Sequence, residues 1–161
     1  LKEKQPDNLG EFTVPVGKIE ITKEGSDVTL VTYGSTWRIV SEAANELEKL
    51  GISSEVIDIQ SLIPFDLSSE IAQSIKKTNR LVVIDEDVEG GTSAFILQQV
   101  LEKQKAFRYL DSDPLTISAE NHRPAYASDG DYFSKPSADD IVEKVYQLFF
   151  ELNPEKYPPI Y

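Results

Sequence analysis

The stretch Arg80-Leu81-Val82-Val83-Ile84-Asp85 sets four aliphatic side chains in a row between charged ends. In an extended strand, successive side chains point to opposite faces, so this segment has no wet side. Strands that are dry on both faces belong to parallel sheets, where returning helices cover both surfaces. The rest of the chain supplies those helices in alternation. Val28-Thr29-Leu30-Val31-Thr32-Tyr33 is a second near-continuous apolar run, and Gly34-Ser35-Thr36 leads from it into Val40, Ala43, Ala44, Leu47 and Leu50 at one-face helical spacing. Gly51 suits the left-handed position that closes such a helix. Ser54-Glu55-Val56-Ile57-Asp58-Ile59 reads as the next strand. Pro64-Phe65-Asp66 then opens a second helix, with Asp66 as N-cap and Leu67, Ile71 and Ile75 facing inward.

After the dry strand, Gly90-Gly91 opens a third helix on Ala94, Leu97 and Leu101, and Leu115-Thr116-Ile117 is a short further strand of the parallel set. Ser137-Ala138-Asp139-Asp140 has the form of a capping box with Asp in the usual Glu or Gln position. Ile141, Val145, Leu148 and Phe149 form the stripe of a last helix that Asn153-Pro154 ends. Near the start, Ile19 and Ile21 alternate with polar residues, and Glu24-Gly25-Ser26-Asp27 is a turn, which together predict a hairpin into the Val28 strand. Strands alternating with helices through short links specify an α/β fold with right-handed crossovers and helices on both faces of the sheet.

A chain of 161 residues fits one core. We divide it into a polar linker at 1–12, a folded domain at 13–152 and a tail at 153–161. The sequence opens on Leu1 and contains no Met, which points to a piece of a longer polypeptide whose activity lies upstream. Without Cys there are no disulfides or thiolate sites. No apolar run reaches the ~20 residues needed to span a bilayer, and the start lacks a signal-peptide pattern, so the expected location is the cytoplasm. The formal charge of −12 opposes nucleic-acid binding and leaves room for a basic protein partner.

Four segments carry a family resemblance: Val14-Pro15-Val16-Gly17-Lys18, Val31-Thr32-Tyr33-Gly34, the run from Glu55 through Gln60-Ser61-Leu62-Ile63-Pro64-Phe65-Asp66, and Lys77-Thr78-Asn79-Arg80-Leu81-Val82-Val83-Ile84. They are followed by Gly90-Gly91 and Lys135-Pro136-Ser137-Ala138-Asp139-Asp140-Ile141-Val142. In this order and spacing, over about 12–150, the chain resembles the C-terminal domain of transketolase-like enzymes. The version it resembles is that of the β subunits of thiamine diphosphate-dependent 2-oxoacid dehydrogenases, of branched-chain 2-oxoisovalerate or pyruvate type. The resemblance implies a three-layer α/β/α fold, with a five-stranded, mostly parallel sheet and one antiparallel edge strand that the segment from Ile19 to Lys23 could supply.

The same resemblance implies that thiamine diphosphate and Mg²⁺ belong to the complete enzyme, held by a preceding domain and by an α subunit or fused α domain. No cofactor, metal or catalytic residue is then expected in this domain. The implied role is assembly, by pairing with a second β copy and docking on the subunit-binding domain of a dihydrolipoyl acyltransferase. Transketolase and deoxyxylulose-phosphate synthase are alternative parents. Ser128-Asp129-Gly130-Asp131 echoes a diphosphate-metal motif but lacks its later Asn-Asn pair, and reads as a surface turn.

Several residues stand out as candidate sites. Asp85, Glu86, Asp87, Glu89, Gly90 and Gly91 lie where a parallel strand hands over to a helix, the usual crevice of α/β ligand sites. Paired carboxylates there could serve acid-base chemistry, as in a self-contained hydrolase, or a hard cation. A subunit or acyltransferase interface is the favoured functional reading. His122 and Arg123, in a polar stretch, are candidate contacts of the same kind. Tyr157, Ile160 and Tyr161 sit among stiff prolines suited to lying extended on another surface. Gly34, Ser35 and Thr36 expose helix N-terminal amides and are a candidate anion or effector site, the basis of an alternative regulatory reading.

Overall fold

The computed structural model describes residues 7–122, 126 and 129–159. Five strands form one sheet in the order β1-β3-β2-β4-β5: β1 (Glu20–Lys23), β2 (Val28–Thr32), β3 (Ser54–Asp58), β4 (Leu81–Val88) and β5 (Leu115–Ala119). β2 pairs in parallel with β3 and β4, and β4 in parallel with β5, whereas β1 runs antiparallel to β3 at the edge. The helices are α1 (Thr36–Lys49), α2 (Glu70–Thr78), α3 (Thr92–Leu97), α4 (Asp129–Ser134) and α5 (Ala138–Leu152). A π-helical segment (Gln98–Lys103) continues α3, and a 3-10 turn (Ala106–Tyr109) follows.

The uniform apolarity of β4 divides between two cores. Val82 and Ile84 join Leu30, Val56, Val40, Leu47, Ile141, Val145 and Phe149 under α1 and α5, while Leu81 and Val83 join Val31, Ile57, Ile71, Ile75, Ile96 and Val100 under α2 and α3. Burying each such side chain contributes about 1.5–3 kcal/mol, so both faces of the sheet are anchored. The buried hydroxyl of Thr29 on β2 is satisfied by Ser74 Oγ and Thr78 Oγ1 of α2, each at 2.7 Å. The capping box is formed as expected: the Asp140 amide donates to Ser137 Oγ (3.2 Å), and Asp140 Oδ2 accepts from the Ser137 amide (2.9 Å). Gly51 takes φ +81° behind α1.

The structure corrects four local expectations. β1 and β2 are not a hairpin, because β3 lies between them. The 24–27 link passes under the start of β3, where Ser26 and Asp27 donate to Ser53 O (3.2 and 2.8 Å) and Gly25 lies so close that a Cβ there would collide with the Ser54–Glu55 backbone. Asp66 does not occupy the N-cap of α2, which begins at Glu70 behind Ser69. Its buried carboxylate nonetheless reaches forward to accept from the amides of Glu70 (3.0 Å) and Ile71 (2.9 Å), and also from Gln104 Nε2 (2.9 Å). Leu67 therefore precedes the helix and is 70% exposed instead of facing the core. In α3 the buried residues are Ser93, Ile96 and, in the π segment, Val100. Ala94 is exposed, and Leu97 and Leu101 lie half-buried at the surface.

Candidate interaction site at the strand ends

From β2 the chain winds outward to β3 and then crosses back to β4, so the winding direction reverses between β2 and β4. In an open α/β sheet, side chains at the carboxyl ends of the two strands flanking such a reversal converge on one crevice. Here those ends carry the turn from Tyr33 into α1 and the last residues of β4 with the Glu89–Gly91 loop, bringing two separately identified candidate segments together.

Asp85 is fully buried. Its Oδ1 accepts from Tyr33 Oη (2.7 Å) and from the Asp87 amide (3.0 Å), and its Oδ2 accepts from the Ser93 amide (2.8 Å) in the first turn of α3. The carboxylate thus joins β2, β4 and α3. By fixing Ser93 inward it also sets the rotation of α3, which explains why the buried stripe runs through Ile96 and Val100. Burial pushes the Tyr33 hydroxyl up to about 12; a hydrogen bond from Thr92 opposes the shift and Asp85 adds to it. Tyr33 is therefore a proton donor to Asp85 at neutral pH and not a base.

The neighbouring acids point elsewhere. Glu86 Oε2 accepts from Ser35 Oγ (3.2 Å) and from Lys135 Nζ (3.1 Å), linking β4 to the start of α1 and to the segment before α5. Asp87 Oδ1 accepts from the Val88 amide (2.9 Å), and its other oxygen lies where a Cβ on Gly91 would stand, so Gly91 is needed for close approach. Gly90 turns the loop at φ +84°, and Glu89 is exposed. The three acids of 85–87 do not converge on a shared point. Among the described residues, no three His, Cys, Asp or Glu side chains are grouped to hold a metal ion.

Gly34, at φ +63°, turns the chain into α1; Ser35 is exposed and Thr36 buried. Ser35 borders a groove of about 520 Å³, lined by Ile39, Glu42, Glu86, Lys135, Pro136 and Asp139 among others. With Lys135 paired to Glu86, the carboxylates of Glu42 and Asp139 set the groove's charge against an anion. Tyr33, Ser93, Lys135, Glu42 and Asp139 are the site residues that sequence reasoning missed. The one available signal was an Asp at a dry strand's end just before a helix start, which demands buried donors without naming them.

The remaining candidates lie apart. His122 is exposed beyond β5, with its amide donating to Glu120 O (2.8 Å). Tyr157 is spent within this chain instead of lying on another surface. It is 6% exposed, edge-on to Phe149 (5.2 Å) and Tyr146 (6.1 Å), and Tyr146 Oη donates to Pro158 O (2.9 Å), because an aromatic ring next to two aromatic neighbours gains more by folding back than by staying in water. Arg123, Ile160 and Tyr161, and Ser128 of the metal-motif echo, lie outside the described residues. Asp129 and Gly130 belong to α4 and not to a surface turn.

The chain is a doubly wound α/β domain with an antiparallel edge strand, and at its strand-end crevice Asp85 accepts hydrogen bonds from Tyr33 and Ser93. Residues 17–141 match the model of the transketolase C-terminal domain, and the chain belongs to that family. It is 36% identical over 138 residues to the pyruvate dehydrogenase E1 component subunit beta of Rhizobium meliloti (strain 1021), covering 85% of this chain and 29% of that protein. It is 39% identical over 132 residues to subunit beta-2, mitochondrial, of the same component from Oryza sativa subsp. japonica, covering 81% and 34%. The chain thus spans about a third of these relatives' length. Among solved structures it resembles a split gene transketolase described as an inactive beta4 tetramer, with TM-score 0.67 and 27% identity over 88% of this chain and 45% of that one. Its likeness to 2-oxoglutarate:ferredoxin oxidoreductase from Magnetococcus marinus, with TM-score 0.55 and 16% identity over 88% and 21%, is one of fold. No helix among the described residues is long and apolar enough to cross a membrane.

Proposed function

We propose that this chain is the C-terminal assembly domain of a thiamine diphosphate-dependent 2-oxoacid dehydrogenase β subunit, and that it pairs with a second β copy through α3 and the loop before it. The observation that carries this reading is the outward face of α3. Ala94, Leu97 and Leu101 line a shallow surface groove of about 650 Å³ together with Gly90 and Gly91, so apolar area lies uncovered next to backbone that a neighbour can approach closely. The beta4 assembly of the similar transketolase and the β-subunit names of the relatives support a copy of this chain as occupant. Around a twofold axis, the same patch on both subunits would bury these side chains against each other.

In this reading the exposed acids Glu86, Asp87 and Glu89 flank the pairing surface, and the acidic exterior steers the basic subunit-binding domain of a dihydrolipoyl acyltransferase. An α subunit or fused α domain completes the enzyme. Among the described residues, the acids at the strand ends do not fit a seat for thiamine diphosphate and Mg²⁺: both Asp85 oxygens accept hydrogen bonds from this chain, Glu86 bonds Ser35 and Lys135, and Asp87 bonds the Val88 amide. When bound, that cofactor supplies the electron sink for 2-oxoacid decarboxylation; the contribution of this chain is to hold subunits in register. The test is sedimentation equilibrium of the chain and of Leu97→Glu, alongside a 2-oxoacid decarboxylation assay with thiamine diphosphate and Mg²⁺. A dimer that Leu97→Glu converts to monomer, with no turnover by the chain alone, is the expected result. Turnover by the chain alone, or a monomer at all concentrations, would overturn the proposal.

A further inference from the structure

At the end of the sheet opposite the acidic crevice, a small group of cations gathers next to the acids that Lys77 and Arg80 pair with. α3 and its π segment run back along the sheet, so the 3-10 turn Ala106–Tyr109 arrives beside the C-terminus of α2. There Asn79 Nδ2 donates to Tyr109 O (2.8 Å) and the Asp111 amide donates to Asn79 O (3.0 Å). Two cations share the Tyr109 ring: Lys76 Nζ lies 6.0 Å and the Arg108 guanidinium 5.7 Å from its centroid. Arg108 Nε donates to Lys105 O (3.1 Å), holding the guanidinium over this turn, and Lys103 ends the π segment just before it. Phe107 stands 68% exposed between Lys105 and Arg108.

The charges of this patch are not neutralised. Lys23, Lys49, Lys77, Arg80 and Lys135 each pair with a carboxylate, but none of Lys76, Lys103, Lys105 and Arg108 does so among the described residues. In a chain of net charge −12, cations without an ion pair, two of them over the half-buried Tyr109 ring and next in sequence to the exposed Phe107, create a local field opposite to that of the whole.

We propose that the Lys76–Lys103–Lys105–Arg108 patch docks a short acidic segment of a partner protein, which lays an apolar side chain on Phe107. Charge complementarity selects this occupant. A short segment feels the patch within about one Debye length, ~8 Å at physiological salt, and escapes the acidic remainder of the surface. A nucleic acid or an anionic membrane extends past the patch and meets that remainder. A second copy offering its 86–89 loop would join head to tail in an open chain.

The test is fluorescence anisotropy of a labelled acidic peptide with one central Phe, titrated with this chain at low and physiological salt, together with amide chemical-shift mapping of the unmutated chain. Saturable, salt-weakened binding is expected, with shifts confined to residues 76 and 103–109. Phe107→Ser should weaken it several-fold and Lys105→Glu/Arg108→Glu by about tenfold. These exposed positions should leave the thermal melt unchanged. The proposal is overturned by absence of saturation, by shifts mapping elsewhere, or by tighter binding of single-stranded DNA or phosphatidylserine vesicles than of the peptide. It is equally overturned by peptide-free self-association that the charge reversal abolishes.

Discussion

Replacing Asp85 with Asn tests whether the buried acid at the strand end belongs to the fold. The carboxylate accepts three hydrogen bonds: from Tyr33 Oη, the Asp87 amide and the Ser93 amide. Asn offers one acceptor oxygen. Placed at the Oδ1 position it keeps Tyr33 and Asp87, but it then sets its NH₂ against the Ser93 amide, two donors facing each other without water. Hydrogen bonds to a charged acceptor contribute about 1.5–3 kcal/mol each, and a stranded buried donor costs about as much again, so Asp85→Asn should destabilise by about 2–4 kcal/mol. For a domain of this size, about 2–4 °C per kcal/mol places the melting point roughly 5–15 °C lower. Tyr33→Phe removes one donor of three and should cost about 1–2 kcal/mol. Asp85→Asn turns the acceptor of the Tyr33 bond from a charged to a neutral oxygen, and Tyr33→Phe removes its donor. Since both variants act on one bond, the double variant should fall short of their sum by more than about 0.5 kcal/mol. Urea unfolding of the four proteins measures the cycle. If Asp85→Asn unfolds at the wild-type midpoint, the carboxylate does not hold α3 to the sheet, and its burial would have to be read as a poised functional group.

Tyr33 also carries a pH signature. Its folded value of about 12 lies above the usual 10, so its contribution is intact below pH 10 and lost as pH rises through 12; Tyr33→Phe should flatten that alkaline limb, followed by melting temperature and phenolate absorbance. Lys77 bridges the buried Glu55, 1% exposed, and the surface Glu24. Lys77→Met strands the Glu55 charge and should cost about 3 kcal/mol in urea unfolding, while Glu24→Gln should leave the midpoint nearly unchanged at neutral pH. The hydrogen bond from Lys77 holds Glu24 below its ordinary 4.5, so any contribution from it is present above that pH and disappears on acidification. Gly25→Ala places a methyl against the backbone of Ser54 and Glu55 and should destabilise by more than about 2 kcal/mol, read as loss of the urea midpoint.

The layers of the fold were legible wherever burial follows a period. Residues 81–84 of β4 had no wet face, which forced a covered parallel sheet, and the stripes of α1 and α5 meet in one core except at their ends, where Leu50 is exposed and Leu148 half-buried. What escaped depended on long-range partners. Nothing local in Ile19-Glu20-Ile21 says that its neighbour is β3 and not β2; the crossing is set by Gly25 fitting against Ser54 and Glu55, residues about thirty positions away. The rotation of α3 escaped for the same reason. Ala94, Leu97 and Leu101 have the spacing of a buried face, but the bond from Ser93 to Asp85 turns the helix so that Ile96 and Val100 take that place. Periodicity finds an apolar stripe. It does not say whether the stripe meets this chain's sheet or another chain.

That ambiguity bears on the candidate site itself. Leu97 and Leu101 pack against the core on one side and stay half-buried, so an apolar stripe is left partly uncovered at a hydrophobic cost of about 25 cal/mol per Å² of exposed area, which an occupant would relieve. The carboxylate that could have made the strand-end crevice reactive is instead the group that rotates the stripe outward. Acid and stripe are therefore linked: Asp85 spends its bonding capacity on orienting α3, and in that orientation Leu97 and Leu101 stand half-buried at the edge of the core instead of within it. The two should fail together. In Asp85→Asn, loosening of the first turn of α3 should weaken the proposed self-pairing before the domain unfolds, measured as a rise in the dimer dissociation constant at temperatures where circular dichroism is still native. Unchanged dimerisation in a destabilised Asp85→Asn would separate the two roles and remove the link between the buried acid and the assembly surface.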